Sequence, residues 1–403
     1  MFEFKADVSA DEYFDWLKTL PHYNIMNTPM WAKVKNSWQN TFCLIKKDGV
    51  NAGGALLLIR KLAPGFKLIY SPRGFVLDYS DKELVKAFTA GVLSYARKIG
   101  AYMIRIDPEI CISTIFKKEK KLQKKGIEQL EMLKSIGFKH MGFATDFHTY
   151  TQPRFNAEYY LIDENGNKKN DEAILGEFER KMKKFIGDFT KKRGISFEIK
   201  SSEDSIDEFI KISEHTEKRQ HILLRNKEYF ERMYNAFPGD NYFLFARIDI
   251  NKFSEFLDSG EDKEHTDADR AEAEKLRAEK GNIITMSAMN VLKSNDTLYF
   301  MYSGFDETVF PRFKTTNQIR FEAMRYFRDT GIKTVSFMGI NGDLNDSLSE
   351  FKLKFRPTVV EYAGEFELPV NKFKYKLMQK LFPFAKRIYI NAALILRGKK
   401  GKR

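Results

Sequence analysis

KLIYSPRGFVLDYSDKELVKAFTAGVLSYARKIGAYMIRIDPEI occupies residues 67–110, and its order of features decides the fold. A short apolar run, KLIYS (67–71), ends in Tyr-Ser. A turn follows, and then a helix is predicted over about 81–98, opened by a capping box of Ser80 and Glu83. Leu84, Phe88, Val92 and Tyr95 recur at helical spacing and form one apolar stripe. Gly100 ends the helix, and YMIRI (102–106) reads as a buried strand. The same order returns downstream. YFMYS (299–303) is again an apolar run closed by Tyr-Ser, a helix around 317–329 carries Ile319, Ala323 and Phe327, Gly331 ends it, and TVSFMGI follows as a strand. The Tyr-Ser pairs lie 232 residues apart and the two glycines 231. Two landmarks at nearly one offset imply two copies of a strand–helix–strand unit, hence an α/β (α+β) chain with two domains.

A chain of 403 residues accommodates two domains of ordinary size. Hydrophobic residues (43%) and charged residues (31%) are in globular proportion. No apolar run approaches the length of a bilayer-crossing helix, and MFEFKADVSADEYFDW lacks the apolar segment of a signal peptide. A cytoplasmic protein is expected. Cys43 and Cys111 make no metal or redox spacing. The formal charge of +13 is concentrated at the end. Residues 368–403 hold 11 Lys or Arg and no acid, leaving +2 for residues 1–367. The amphipathic tail from 372 suits an anionic membrane surface, a further RNA contact or mere solubility.

Further segments fit a mixed fold. Helices are expected near 117–136 and 345–353, a crossing strand at TQPRFNAEYYLID (151–163), and a solvated charged insertion at about 254–280. Nucleotide-binding glycine loops, zinc motifs and nucleophile elbows are missing. A duplicated α/β unit of this size suggests an N-acyltransferase. The acetyl-CoA version cradles pyrophosphate on a [QR]xxGx[GA] loop. Arg97, Gln123 and Arg328 begin such loops, but the sixth positions are Tyr102, Glu128 and Lys333, so another acyl donor is expected.

Seven stretches in order carry a resemblance: TPMWAKVKNSW (28–38), SPRGFVLDY (71–79), YMIRIDPEI (102–110), TQPRFN (151–156), LLRNKEYFERM (223–233), LYFMYSGF (298–305) and FKLKF (351–355). Together they resemble the Fem-type (FemABX) peptidoglycan aminoacyltransferases over nearly the whole chain. The resemblance implies two tandem GNAT-like domains, 1–150 plus about 363–403 and 151–362, the second holding the short helical insertion. It implies transfer of an amino acid from aminoacyl-tRNA, a co-substrate rather than a cofactor, to the stem-peptide amine of a muropeptide precursor. That acceptor is lipid-linked or UDP-linked, and a monomer is the expected state, free in the cytoplasm or at the inner face of the membrane.

The resemblance also assigns residues. Lys33, preferred over Lys35, would hold the acceptor's phosphates together with Arg225 from the other half, since a diphosphate between two domains suits one cation from each. Tyr102 and Asp107 would sit in the acceptor groove, Asp107 holding or deprotonating the amine. Phe300 and Tyr302 alternate on a strand, which puts both on one face, and would line that groove. Lys352 would stabilise the oxyanion or hold the tRNA 3′ end, and Phe351 would stack on its adenine. RKMKKFIGDFTKKRG (180–194) contains Lys181, Lys183, Lys184, Lys191, Lys192 and Arg193 among its cations, a path for tRNA phosphates. No metal is expected. The competing readings are a CoA-dependent N-acyltransferase and a non-catalytic RNA-binding module.

Overall fold

The computed structural model describes residues 1–146, 151–186, 192–220, 224–261 and 267–380. The strands of the first half are β1 (Phe2–Val8), β2 (Gln39–Lys47), β3 (Val50–Ala63), β4 (Phe66–Ser71), β5 (Val76–Leu77), β6 (Ala101–Ile106), β7 (Cys111–Phe116), β8 (Glu119–Leu122) and β9 (Lys139–His140). Those of the second are β10 (Phe155–Tyr160), β11 (Ile195–Lys200), β12 (Asn241–Asp249), β13 (Ile283–Ser294), β14 (Thr297–Phe305), β15 (Thr334–Ile340), β16 (Thr358–Tyr362) and β17 (Phe366–Pro369). They form two sheets. One runs β1-β2-β3-β4-β6-β17-β9, with β5 on β3; the other runs β11-β12-β13-β14-β15-β10-β16-β7-β8.

The internal repeat is plain in the pairing. Among the described strands, each sheet has one parallel pair, β4 with β6 and β14 with β15; all other neighbours are antiparallel. Parallel neighbours need a crossover, and the helices Lys82–Lys98 and Thr315–Arg328 supply it. Leu84, Phe88 and Val92 of the first, and Ile319, Ala323 and Phe327 of the second, are buried against their sheets. Gly100 and Gly331 close these helices at φ of +72° and +97°, where a side chain would be strained. The helix cap differs from the expected box: Asp81, not Ser80, accepts the amide of Leu84.

Two segments depart from the sequence-based expectation. Residues 111–122, placed with the first domain, form the β7–β8 hairpin at the edge of the second sheet, where β7 pairs with β16. Ser113 hydrogen-bonds Glu361, 248 residues away in sequence, a pairing that no local pattern encodes. The helix expected from 117 therefore starts at Lys124. The charged insertion is not a solvated projection. Its helices, Ile250–Asp258 and Asp267–Lys280, pack together, burying Leu257, Ala273 and Leu276 with Phe310. Arg312 bonds Asp269 and Glu272, so part of the charge is internal to the fold. As expected of the closing segment, β17 returns to the first sheet between β6 and β9, followed by a helix from 372 to 380.

One core cluster joins the halves. Trp31, Ala32 and Val34 of the helix Pro29–Val34 pack with Tyr229, Phe230, Met233 and Phe237 of or just beyond the helix Lys227–Ala236. The two halves therefore meet across a seam whose edge carries Lys35 and Arg225.

Candidate functional site: cations beside two parting strands

At one end of the seam the chain places two cations together. Thr28 caps the helix Pro29–Val34 by accepting the amide of Trp31, and Pro29 fits its first turn. Lys35 leaves the helix with its Nζ 4.9 Å from the centre of the Trp31 ring. Asn226 caps the helix Lys227–Ala236, and Arg225 just before it lies 5.2 Å over Tyr229. Burial, then the charge of Arg225, pushes the Lys35 amine down to about 8. A cation held beside another cation at such a cost is suited to a doubly charged anion. Contrary to the expected pairing of Lys33 with Arg225, Lys33 stands on the exposed face of the same helix and Lys35 is the lysine that meets Arg225.

Tyr302 belongs to this end. Its hydroxyl donates to the Tyr229 hydroxyl at 3.3 Å, and it acts on the Arg225 guanidinium. Phe300 does not, contrary to the expectation of a shared face. The β13–β14 register shifts between Asn290 and Val291, pairing Tyr302 with Asn290 and Phe300 with Val291. Met301 is the extra residue of a β-bulge, which breaks the two-residue alternation. Phe300 is buried against Phe337, at 5.0 Å between ring centres, in the core of the second domain.

The other end lies where β14 and β15 part. They pair only through Thr297–Thr334, Leu298–Val335 and Tyr299–Ser336. Beyond that point each strand offers free polar groups. Lys352, from the helix Ser347–Leu353, donates to the Gly339 carbonyl at 2.8 Å on the free stretch of β15. Arg320, from the crossover helix, donates to Ser303 Oγ at 2.9 Å on the free stretch of β14 and lies 4.8 Å over the Phe351 ring. Burial, then the Arg320 charge, pushes the Lys352 amine down to about 7, and burial pushes Arg320 down to about 10. Sequence reasoning missed Arg320. Its signal was positional: it shares the apolar stripe of Ala323, Met324 and Phe327.

A carboxyl group whose charge acts on Lys352 was also missed. Glu158 on β10 accepts from Ser336 Oγ at 3.0 Å. Burial raises it to about 8; Glu109 adds to the rise, and Arg73 and His22 oppose it. Its charge reaches Lys352. Glu109 lies 3.9 Å from Arg73 Nε and accepts from Asn24 at 2.7 Å.

Asp107 has a different position from the one expected of a base. It is buried and accepts from the Tyr70 hydroxyl (2.7 Å) and the amides of Arg73 (2.6 Å) and Gln152 (2.7 Å). Burial raises it to about 6, with Arg73 pulling the other way. These bonds fasten the turn after β4 to the segment that crosses into the second domain. Tyr102 lies apart, in a cluster with Leu68, Met103 and Tyr375, with burial raising its hydroxyl to about 12.

The basic segment divides. Lys181, Lys183 and Lys184 are exposed, and Lys183 caps the Gly176 carbonyl at 2.7 Å. Lys192 pairs with Glu261 at 2.7 Å, and Arg193 lies 4.9 Å over Phe313, just before the helix that carries Arg320. Lys191 lies outside the described residues, as does the tail beyond 380. Among the described residues, His215, Asp306 and Glu307 bring ligand-type atoms within 4.8 Å of one another. Lys280 and Thr308 already occupy Asp306, and Arg219 faces Glu307 at 3.4 Å, so the group reads as an ion-pair cluster. No helix of the described residues is long and apolar enough to cross a membrane.

Comparison with known proteins places this geometry. "Lipid II:glycine glycyltransferase" of Staphylococcus aureus (strain MSSA476) is 26% identical over 94% of this chain and 96% of that protein. The same-named protein of strain MRSA252 matches equally. The crystal structure of FemX superposes with a TM-score of 0.77 at 24% identity, over 93% of this chain and 99% of that one, and shares the fold. The FemAB family model matches residues 8–274 and 259–382. From near its first strand to its last described helix, this chain belongs to the FemAB family.

Proposed function

We propose that the protein transfers an amino acid from aminoacyl-tRNA to the stem-peptide amine of a peptidoglycan precursor. The observation that carries the reading is two cation pairs linked through adjacent residues of β14, Tyr302 beside Arg225 and Ser303 bonded to Arg320. Lys35 and Arg225 suit the acceptor's diphosphate; Lys352 and Arg320 flank the gap between β14 and β15, where an ester fits. The amine attacks the ester carbonyl, a C–N bond forms, the bond between the acyl carbon and the ribose oxygen breaks, and the released ribose oxygen takes a proton. Lys352 is placed to hold the developing oxyanion, and such donors contribute about 3–4 kcal/mol when well aimed. Phe351 offers a ring for the terminal adenine, and Lys181, Lys183 and Lys184 offer charge to the acceptor stem.

The amine must lose its proton before attack. Glu158, whose proton affinity is raised and which faces Lys352, is the carboxyl suited to receive it. An arriving ammonium lowers that affinity again and ionises the group. Asp107 acts by positioning the cleft wall. The relatives' name supports a lipid-linked acceptor and glycine as the amino acid moved.

The test combines purified protein, tRNA charged with one small amino acid, and muropeptide precursor. A mass gain of one residue on the precursor is expected. Turnover of acetyl-CoA with no transfer from tRNA overturns the reading, as does tRNA retention without transfer.

A further inference from the structure

A surface remote in sequence from these cation pairs combines charge with exposed apolar side chains. Residues 116–125, FKKEKKLQKK, hold six lysines and one glutamate. Lys120 pairs with Glu361 at 2.7 Å and Lys124 faces Glu128 at 3.9 Å. Lys117, Lys118, Lys121 and Lys125 form no ion pair with a described residue. Among them, Leu122 is 67% exposed, Phe143 56%, Phe116 44% and Ile127 40%. Leu122, Ile127 and Phe143 line an apolar cavity of about 280 Å³ between the hairpin and the helix Lys124–Ser135.

The turn itself is informative. Phe116 faces Glu119, so Lys117 and Lys118 form a two-residue hairpin loop, at φ of +49° and +75°. Such a loop takes Asn-Gly by preference, and any residue with a Cβ is strained there. Two lysines at that spot are not explained by turn chemistry. Lysines on an edge strand do discourage sheet-to-sheet pairing, which accounts for Lys121 on β8. It accounts neither for the turn nor for the open leucine, isoleucine and phenylalanines.

We propose that the β7–β8 hairpin and the helix Lys124–Ser135 dock on an anionic bilayer surface. The lysines meet lipid phosphates, and Leu122, Ile127 and Phe143, which line one cavity, enter the headgroup–acyl boundary. Charge complementarity selects an anionic partner, and the aliphatic side chains favour a bilayer over RNA, which rewards cations and rings. The inference goes beyond acyl transfer and is independent of it, because membrane binding needs no turnover. It is also distinct from any contact made by the tail.

The experiment uses the full chain, tail included, and sedimentation with vesicles of equal parts phosphatidylglycerol and phosphatidylcholine, or of phosphatidylcholine alone. Lys117→Asn with Lys118→Gly installs the preferred turn, so the hairpin is kept or strengthened. Binding to anionic vesicles is expected to fall about thirtyfold at low salt, from about fivefold per lysine near a charged surface. Affinity for tRNA is expected to stay the same. Leu122→Ser with Phe143→Ser is expected to weaken binding at high salt as well, since the apolar contribution is not screened. Wild-type vesicle binding by the turn variant overturns the proposal. So does a loss of tRNA affinity with vesicle binding intact, which would make the surface an RNA contact.

Discussion

Replacing Lys352 with methionine separates the two effects of its charge. The amine falls from 10.5 to about 7 in the fold, with burial the first cause and Arg320 the second. At about 1.4 kcal/mol per pH unit, that fall sets a ceiling of about 5 kcal/mol on the cost of keeping the amine charged. Water reaching a half-buried amine discounts the ceiling to about 1–3 kcal/mol. The sign follows from proton binding. Between pH 7 and pH 10.5 the unfolded chain holds this proton and the folded chain does not. Stability therefore rises with pH across that window, and the full penalty is present below it. Methionine keeps most of the volume and removes the charge. The variant is expected to resist denaturant better than the parent at pH 6, with the gap narrowing as pH rises toward 10. Its kcat is expected to fall about a hundredfold to a thousandfold, the range for loss of one oxyanion donor. Paired urea titrations at several pH values and single-turnover transfer from charged tRNA measure both. Undiminished transfer would remove Lys352 from the reacting centre. A less stable variant would mean that the bond to Gly339 outweighs the buried charge.

Arg225→Ala is expected to raise the acceptor KM about tenfold to a hundredfold, from about 1.5–3 kcal/mol for a hydrogen bond to a charged group. Steady-state kinetics should show kcat nearly unchanged; a fall confined to kcat would place Arg225 at the chemistry. Phe300→Leu is expected to lower stability by about 1 kcal/mol with both kinetic constants kept, as suits a core ring on Phe337. A raised acceptor KM there would return Phe300 to the groove. Reversing Lys181, Lys183 and Lys184 to Glu is expected to weaken tRNA binding and flatten its salt dependence by about 0.7–0.9 in log–log slope per lost phosphate contact. Filter binding across a salt series reads this, and an unchanged slope would make the segment a solvated face.

The duplicated strand–helix–glycine–strand order was legible because each piece is local. Apolar spacing sets a helix face, Gly100 and Gly331 take backbone angles that side chains resist, and Asn226 caps its helix by accepting the amide of Tyr229 three residues on. The cations Arg225 and Lys352 were legible as residue types in a familiar order, whereas Lys35 was legible only as the alternative to Lys33. Their company was not. A single inserted residue, Met301, turns Phe300 away from Tyr302, and pairing between β13 and β14 decides that bulge. The β7–β8 hairpin joins the far sheet because β16, more than two hundred residues later, completes its ladder. Arg320 and Glu158 become chemically unusual only once burial strips them of water and sets them around Lys352. Short-range sterics and periodicity are written along the chain, whereas desolvation and charge–charge coupling depend on which distant segments close over a side chain.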